Sequence, residues 1–150
     1  MKLAEALILR ADLQNRIAEL RTRLRSNALV QEGEEPAEDP EELLGELERS
    51  CSELRDIMTD INLCNARTLI EGRSLTQLLA RRETLSLLVS AMREMLETAS
   101  ASAQRTRGSE IKIRSSVDVK ALRVRLDSLS KNLRELDTRI QSANWLTELK

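Results

Sequence analysis

Apolar residues recur along this chain at alternating steps of three and four in four separate stretches. Leu3, Ala6, Arg10, Leu13, Ile17, Leu20 and Leu24 form the first series, with an arginine in one slot. Leu44, Leu47, Cys51, Leu54, Met58 and Ile61 form the second, and Leu75, Leu78, Arg82, Leu85, Val89, Met92, Leu96 and Ala99 the third. Val119, Leu122, Leu126, Leu129, Leu133, Leu136, Ile140 and Ala143 form the fourth. This spacing keeps one stripe on a single helix face and favours left-handed knobs-into-holes packing against a partner helix. One short match arises by chance; four, each of about three heptads, do not.

The ends of the stretches agree with helices. Asp39 is a plausible N-cap, Pro40 suits a first helical position, and Glu41 and Glu42 sit against the positive helix end. Ser74-Leu75-Thr76-Gln77 reads as a capping box, and Asp118 or Ser116 can cap the fourth helix. The pattern predicts helices over 2–28, 40–65, 75–104 and 118–143 in a single helical domain over 1–150. The short acidic loop at 31–39 implies an antiparallel hairpin of helices 1 and 2, while helices 3 and 4 pair or fold back on them. Glu71-Gly72-Arg73 is a turn signal. Glu110-Ile111-Lys112-Ile113-Arg114 alternates polar and apolar, so a short β-element is expected near residues 110–114, paired with 67–70 or with the same segment of another subunit. The expected fold class is mainly α: long antiparallel helical hairpins forming a coiled-coil-like four-helix bundle.

Composition supports helices and removes several functions. Charged residues make up 33% of the 150, only two Pro and four Gly interrupt them, and Trp145 is the sole aromatic, which is poor material for a sheet sandwich. A net charge of −1 gives no global field toward nucleic acid or anionic lipid. Arg21, Arg23 and Arg25 cluster near the negative end of helix 1, beside the acidic loop and Glu41 and Glu42. Local pairing explains them better than nucleic acid, since no aromatic stands nearby to stack on a base. No secretory signal is visible and no apolar run approaches the roughly 18 residues that span a bilayer. A cytoplasmic, bacterial-type protein is therefore expected.

Catalytic chemistry finds no foothold. Histidine is absent, so neither a Glu-x-x-His di-iron site nor a Cys–His pair can form. The glycines at 33, 45, 72 and 108 are isolated, leaving no phosphate loop. Glu32, Glu34, Glu35, Glu38 and Asp39 lack the alternating pattern of a calcium loop and read as solvated. No enzyme activity, metal or cofactor is expected. Cys51, on the second seam, reads as a small core residue, and Cys64, near a helix end, as the more exposed thiol. Arg10 and Arg82 occupy seam positions. Each either snorkels to water or meets a Glu on a facing helix, or both enter a shared buried polar layer that contains acids and fixes helix register or subunit number. Trp145 reads as a hydrophobic lock on the bundle end or, preferably, as an anchor on a neighbouring subunit.

Met1-Lys2-Leu3-Ala4-Glu5-Ala6-Leu7, Leu9-Arg10-Ala11-Asp12-Leu13-Gln14, Gln31-Glu32-Gly33, Glu38-Asp39-Pro40, Leu79-Ala80-Arg81-Arg82, Ser109-Glu110-Ile111-Lys112 and Leu136-Asp137-Thr138-Arg139-Ile140-Gln141-Ser142-Ala143-Asn144-Trp145 span essentially the whole chain. In these stretches it resembles a small bacterial family of uncharacterised helical proteins, some of which carry the label septicolysin. The resemblance implies a helical fold and carries over no activity or catalytic residue set. The label implies a haemolysin, a membrane-active alternative, yet 110–114 is shorter than the roughly 9–11 residues of a spanning strand. The leading expectation is a non-enzymatic structural or interaction protein that self-associates through heptad seams, as a homo-oligomer anywhere from dimer to hexamer. Apolar residues outside the seams, such as Leu7, Leu9, Leu43, Leu79, Leu87 and Leu88, exceed what one two-helix contact covers.

Overall fold

A computed structural model of the protein describes residues 1–101 and 111–149. It contains helices α1 (Leu3–Asn27), α2 (Pro40–Arg67), α3 (Leu75–Ala101) and α4 (Val119–Leu146), with two short strands, β1 (Leu69–Ile70) and β2 (Arg73–Ser74). The mainly α, bundle-type fold class expected from the heptads is the one found. The chain falls into two compact units, Met1–Ile70 with Ala143–Lys150, and Glu71–Ser142.

Local chemistry sets the helix starts. Asp39 Oδ1 accepts from the Glu41 amide at 2.9 Å, with Pro40 in the first turn where its missing N–H costs nothing. Ser74 and Gln77 form the reciprocal box: the Gln77 amide donates to Ser74 Oγ at 3.2 Å, and the Ser74 amide to Gln77 Oε1 at 2.9 Å. Asp118 Oδ1 takes the Ala121 amide at 3.0 Å. α2 continues past residue 65 to Arg67 and closes with the Thr68 amide donating to the Cys64 carbonyl.

In the first unit α1 and α2 run antiparallel. Arg16 bonds Glu46 and Arg23 bonds Glu38, so numbers rise on one helix as they fall on the other. The α1 seam is the expected one, with Leu3, Ala6, Leu13 and Leu20 buried. The α2 face is not. Its buried residues are Leu43, Ser50, Ile57, Ile61 and Cys64, so the seam lies one position to the side of the expected one. Leu44 and Met58 are left 41% and 42% exposed. The two cysteines exchange roles accordingly: Cys64 is buried and Cys51 exposed.

In the second unit Val89 and Met92 of α3 close on Leu126 of α4. Leu85, Leu96, Leu122, Leu129 and Leu133 pack around them, half-buried. All eight belong to the third and fourth predicted series. Each large side chain taken fully from water contributes roughly 1.5–3 kcal/mol, so these stripes dominate the stability of each unit.

The β-element lies at 69–74. Residues 111–114 carry no strand, and residue 110 and the expected end of helix 3 at 102–104 lie outside the described residues. β1 pairs with β2 through Glu71 (φ 51°) and Gly72 (φ 80°), a two-residue link with both centres in the left-handed region. Gly72 takes that region without a Cβ clash, which lets Leu69–Ile70 meet the next two-residue stretch along the chain.

Truncating a seam residue tests which face holds the first unit. Leu20→Ala should cost about 2–5 kcal/mol in denaturant unfolding. Leu63→Ala, at a site 57% exposed, should stay within about 0.5 kcal/mol.

Candidate functional site

The three residues that the sequence singled out occupy different surroundings. Arg10 sits among buried α1 neighbours Ala6 and Leu13, and its Nε is shut off from water with no hydrogen-bond acceptor among the described residues. Arg82 belongs to the second unit, where its Nη1 donates to Asp137 Oδ1 on α4 at 3.0 Å. That pair borders an open groove of about 630 Å³ along α3 and α4, lined by Leu79, Glu83, Ser86 and Leu133 among others. Trp145 lies in the last turn of α4 rather than beyond it, 56% exposed, beside Leu146 at 74%.

One edge of the α1–α2 hairpin is polar and paired. Arg16 Nη2 meets Glu46 Oε1 at 2.6 Å. The Arg23 guanidinium forks onto both oxygens of Glu38, and Asn27, itself buried, accepts the Glu38 amide at 2.9 Å. The Arg23 hydrogen bond holds the Glu38 carboxyl below the usual glutamate range, against a smaller opposing effect of desolvation. The same contact raises the Arg23 guanidinium further above its ordinary value. Of the arginine cluster of helix 1, Arg23 thus finds its acid in the loop, as its position beside that loop implied.

A second latch has no local sequence signal. Residues 1–3 and 147–149 pair as a short antiparallel bridge. The Leu3 amide donates to Thr147 O at 2.9 Å and the Leu149 amide to Met1 O at 2.8 Å. Lys2 Nζ lies 2.6 Å from Glu148 Oε1, and the Met1 amine 3.4 Å from Oε2. Lys2 first, then the Met1 amine, hold the Glu148 carboxyl below its usual range, with desolvation opposing. Beneath this bridge Cys64 Sγ approaches Glu148 O at 3.8 Å.

The remaining feature is apolar and uncovered. Leu44, Cys51 and Met58, seven residues apart on α2, form an exposed stripe flanking the half-buried Leu47 and Leu54. Leu44 and Met58 bring no hydrogen-bonding side chains to this stripe, and the seven-residue spacing keeps its members on one helix face. Among the described residues, no group of three or more His, Cys, Asp or Glu gathers as metal ligands, and no helix is long and apolar enough to cross a membrane.

Residues 10–149 match a family described as "Family of unknown function (DUF6847)". A solved structure described as the "Crystal structure of a functionally unknown conserved protein from Corynebacterium diphtheriae" is similar to this chain. The likeness covers 100% of this chain and 99% of that one, at 38% identity and a TM-score of 0.93. No curated protein matches the chain. Neither description carries the septicolysin label that the resemblance suggested.

Two outcomes follow from the paired and unpaired charges. Removing the unpaired donor in Arg10→Met should leave unfolding stability unchanged or raised. A loss beyond about 1 kcal/mol would reveal an acceptor for it. Glu38 and Glu148 are more acidic folded than unfolded. Their contributions to stability are therefore present above the ordinary glutamate range and lost as pH falls through their lowered midpoints. Carboxyl NMR titration should find both midpoints below the ordinary glutamate range, and Glu148→Gln should flatten the acid limb of the unfolding curve.

Proposed function

The chain belongs to this family of unknown function, and on that footing we propose that it is a non-enzymatic structural or interaction protein that self-associates through its heptad faces. The observation that carries the proposal is the Leu44–Cys51–Met58 stripe, large apolar side chains left in water at the spacing of a helix–helix seam. Contiguous exposed apolar surface of this kind marks an interaction site more often than an idle one. Trp145 adds a second argument. An aromatic half in water is well suited to anchor a subunit contact, because burying it removes a large area at little conformational cost.

This reading needs no reacting group and no cofactor, and it places the protein in the cytoplasm as one component of a helical assembly. Light scattering should return a mass that is a multiple of 17.0 kDa at micromolar concentration. Because Trp145 is the only tryptophan, its emission should shift to shorter wavelength as concentration rises if it joins the contact. A mass of one chain at every concentration up to the millimolar range defeats the self-association reading. Turnover in a substrate screen, lost in no contaminant control, defeats the non-enzymatic one.

A further inference from the structure

We propose that two copies of this chain pair about a two-fold axis passing close to Ala11 and Cys51, joining the apolar face of one α1–α2 hairpin to the same face of the other. The proposal rests on the self-association reading and names its surface, partner and symmetry.

Both helices of the hairpin carry a second stripe displaced from the first by one residue. On α2, Leu44, Cys51 and Met58 follow the buried Leu43, Ser50 and Ile57. On α1, Ala4, Ala11 and Ala18 follow the seam positions Leu3, Arg10 and Ile17. One residue is a rotation of about 100° in an α-helix. In an antiparallel pair that rotation carries both stripes to the same side of the hairpin. Arg16 and Arg23 precede seam positions instead, so their ion pairs with Glu46 and Glu38 occupy the other edge. One side of the hairpin is latched by charge; the other presents alanines beside a leucine, a cysteine and a methionine. Ala11 and Ala18 are exposed there.

The occupant is argued from symmetry and charge. A two-fold contact requires a surface that complements itself. The α2 stripe is three residues seven apart, symmetric about Cys51. The register set by Arg16–Glu46 and Arg23–Glu38 places Ala11 at the level of Cys51. A single axis at that level therefore sets Leu44 toward the partner's Met58 and Ala11 toward the partner's Ala11, while Ala4, buried within its own chain, takes no part. Small residues on α1 allow the backbones to approach.

The charges agree. Along the outer border of the α2 stripe stand Glu48 and Arg55, three before and four after Cys51. Antiparallel pairing sets each Glu48 against the partner's Arg55, twice per dimer, in the flanking positions that choose partner and orientation in paired helices. A parallel arrangement of α2 helices would set this border against the partner's opposite border and lose both pairs. In the single chain Arg55 bonds its neighbour Asp56 at 2.8 Å, an exposed contact that costs little to exchange.

The test uses the full chain. Light scattering should give a dimer. Ala11→Glu, on an exposed helix face, should keep the helical circular dichroism, and the unfolding midpoint at concentrations low enough that both proteins are monomeric, but raise the dimer dissociation constant at least about 100-fold, as expected for a charge at an interface centre. Glu48→Arg should weaken the dimer and Glu48→Arg with Arg55→Glu should restore it. Under mild oxidation or with a short bis-maleimide, Cys51 should link two chains, and Cys51→Ser should abolish the product. A wild-type chain that is monomeric throughout overturns the self-association reading and this proposal together. An oligomer whose mass ignores Ala11→Glu and whose Cys51 does not cross-link overturns this face alone. If the double charge swap fails to restore a dimer that Ala11→Glu does break, the antiparallel register is overturned.

Discussion

Ala6, Leu13 and Leu20 leave water along the α1–α2 hairpin, where α2 contributes Leu43 and Ile57, while Leu3 and Cys64 meet the 147–149 segment at its end. That exchange of apolar stripes between antiparallel helices is what every other feature depends on. A helix of 25 or 28 residues has enough backbone bonds to persist as a helix, but its position is set by what its stripe can bury. The second unit repeats the arrangement with Val89, Met92 and Leu126. The polar contacts are subordinate. Arg16–Glu46, Arg82–Asp137 and Lys2–Glu148 are all substantially exposed and contribute little net stability, but they admit only one register.

The start of α2 shows how such minor contacts acquire leverage. Asn27 and Arg23 hold Glu38, the residue immediately before the Asp39 cap, so the first turn of α2 begins at a defined place on α1. Because each helical residue rotates about 100° from the last, pinning the first turn settles which side chains face inward along the rest of the helix. Leu43 is turned toward α1 and Leu44 away. Seven residues on, Ser50 goes inward and Cys51 outward.

Much of the fold was legible because three of the four stripes are unambiguous. On α1, α3 and α4 the three-four spacing has one strongly apolar solution, and the caps at Asp39, Ser74 and Asp118 are local signals read over three or four residues. α2 was misread for a physical reason. Leu43, Leu47, Ser50, Leu54, Ile57, Ile61 and Cys64 also step by fours and threes, and this register shares Leu47, Leu54 and Ile61 with the one that runs through Leu44, Cys51 and Met58. Sequence reasoning prefers Cys51 to Ser50 and so selects the outward stripe, taking Cys51 for core and Cys64 for surface. Residues 111–114 keep the alternation without forming a strand, whereas Leu69–Ile70 pair with Arg73–Ser74 across a two-residue turn. Of the candidate site, a carboxylate on a facing helix was one of the expected partners of Arg82, but as a Glu; the partner is Asp137. Glu148 had no signal at all, because its contacts with Met1 and Lys2 cross nearly the full length of the chain.

The two registers of α2 offer nearly equal apolar material. Each has one leucine and one cysteine of its own, Ile57 stands against Met58, and Ser50 in the inward register is matched by Asn65, seven residues past Met58, in the outward one. Burial at roughly 25 cal/mol per Å² therefore does not choose between them. The choice falls to the ends of the helix. At its start the contacts of Glu38 with Arg23 and Asn27 fix the first turn. At its end Cys64 is fully buried, with Glu148 O 3.8 Å from its sulfur, a place that Asn65 would fill with an amide. Leu44, Cys51 and Met58 lie outward as the consequence.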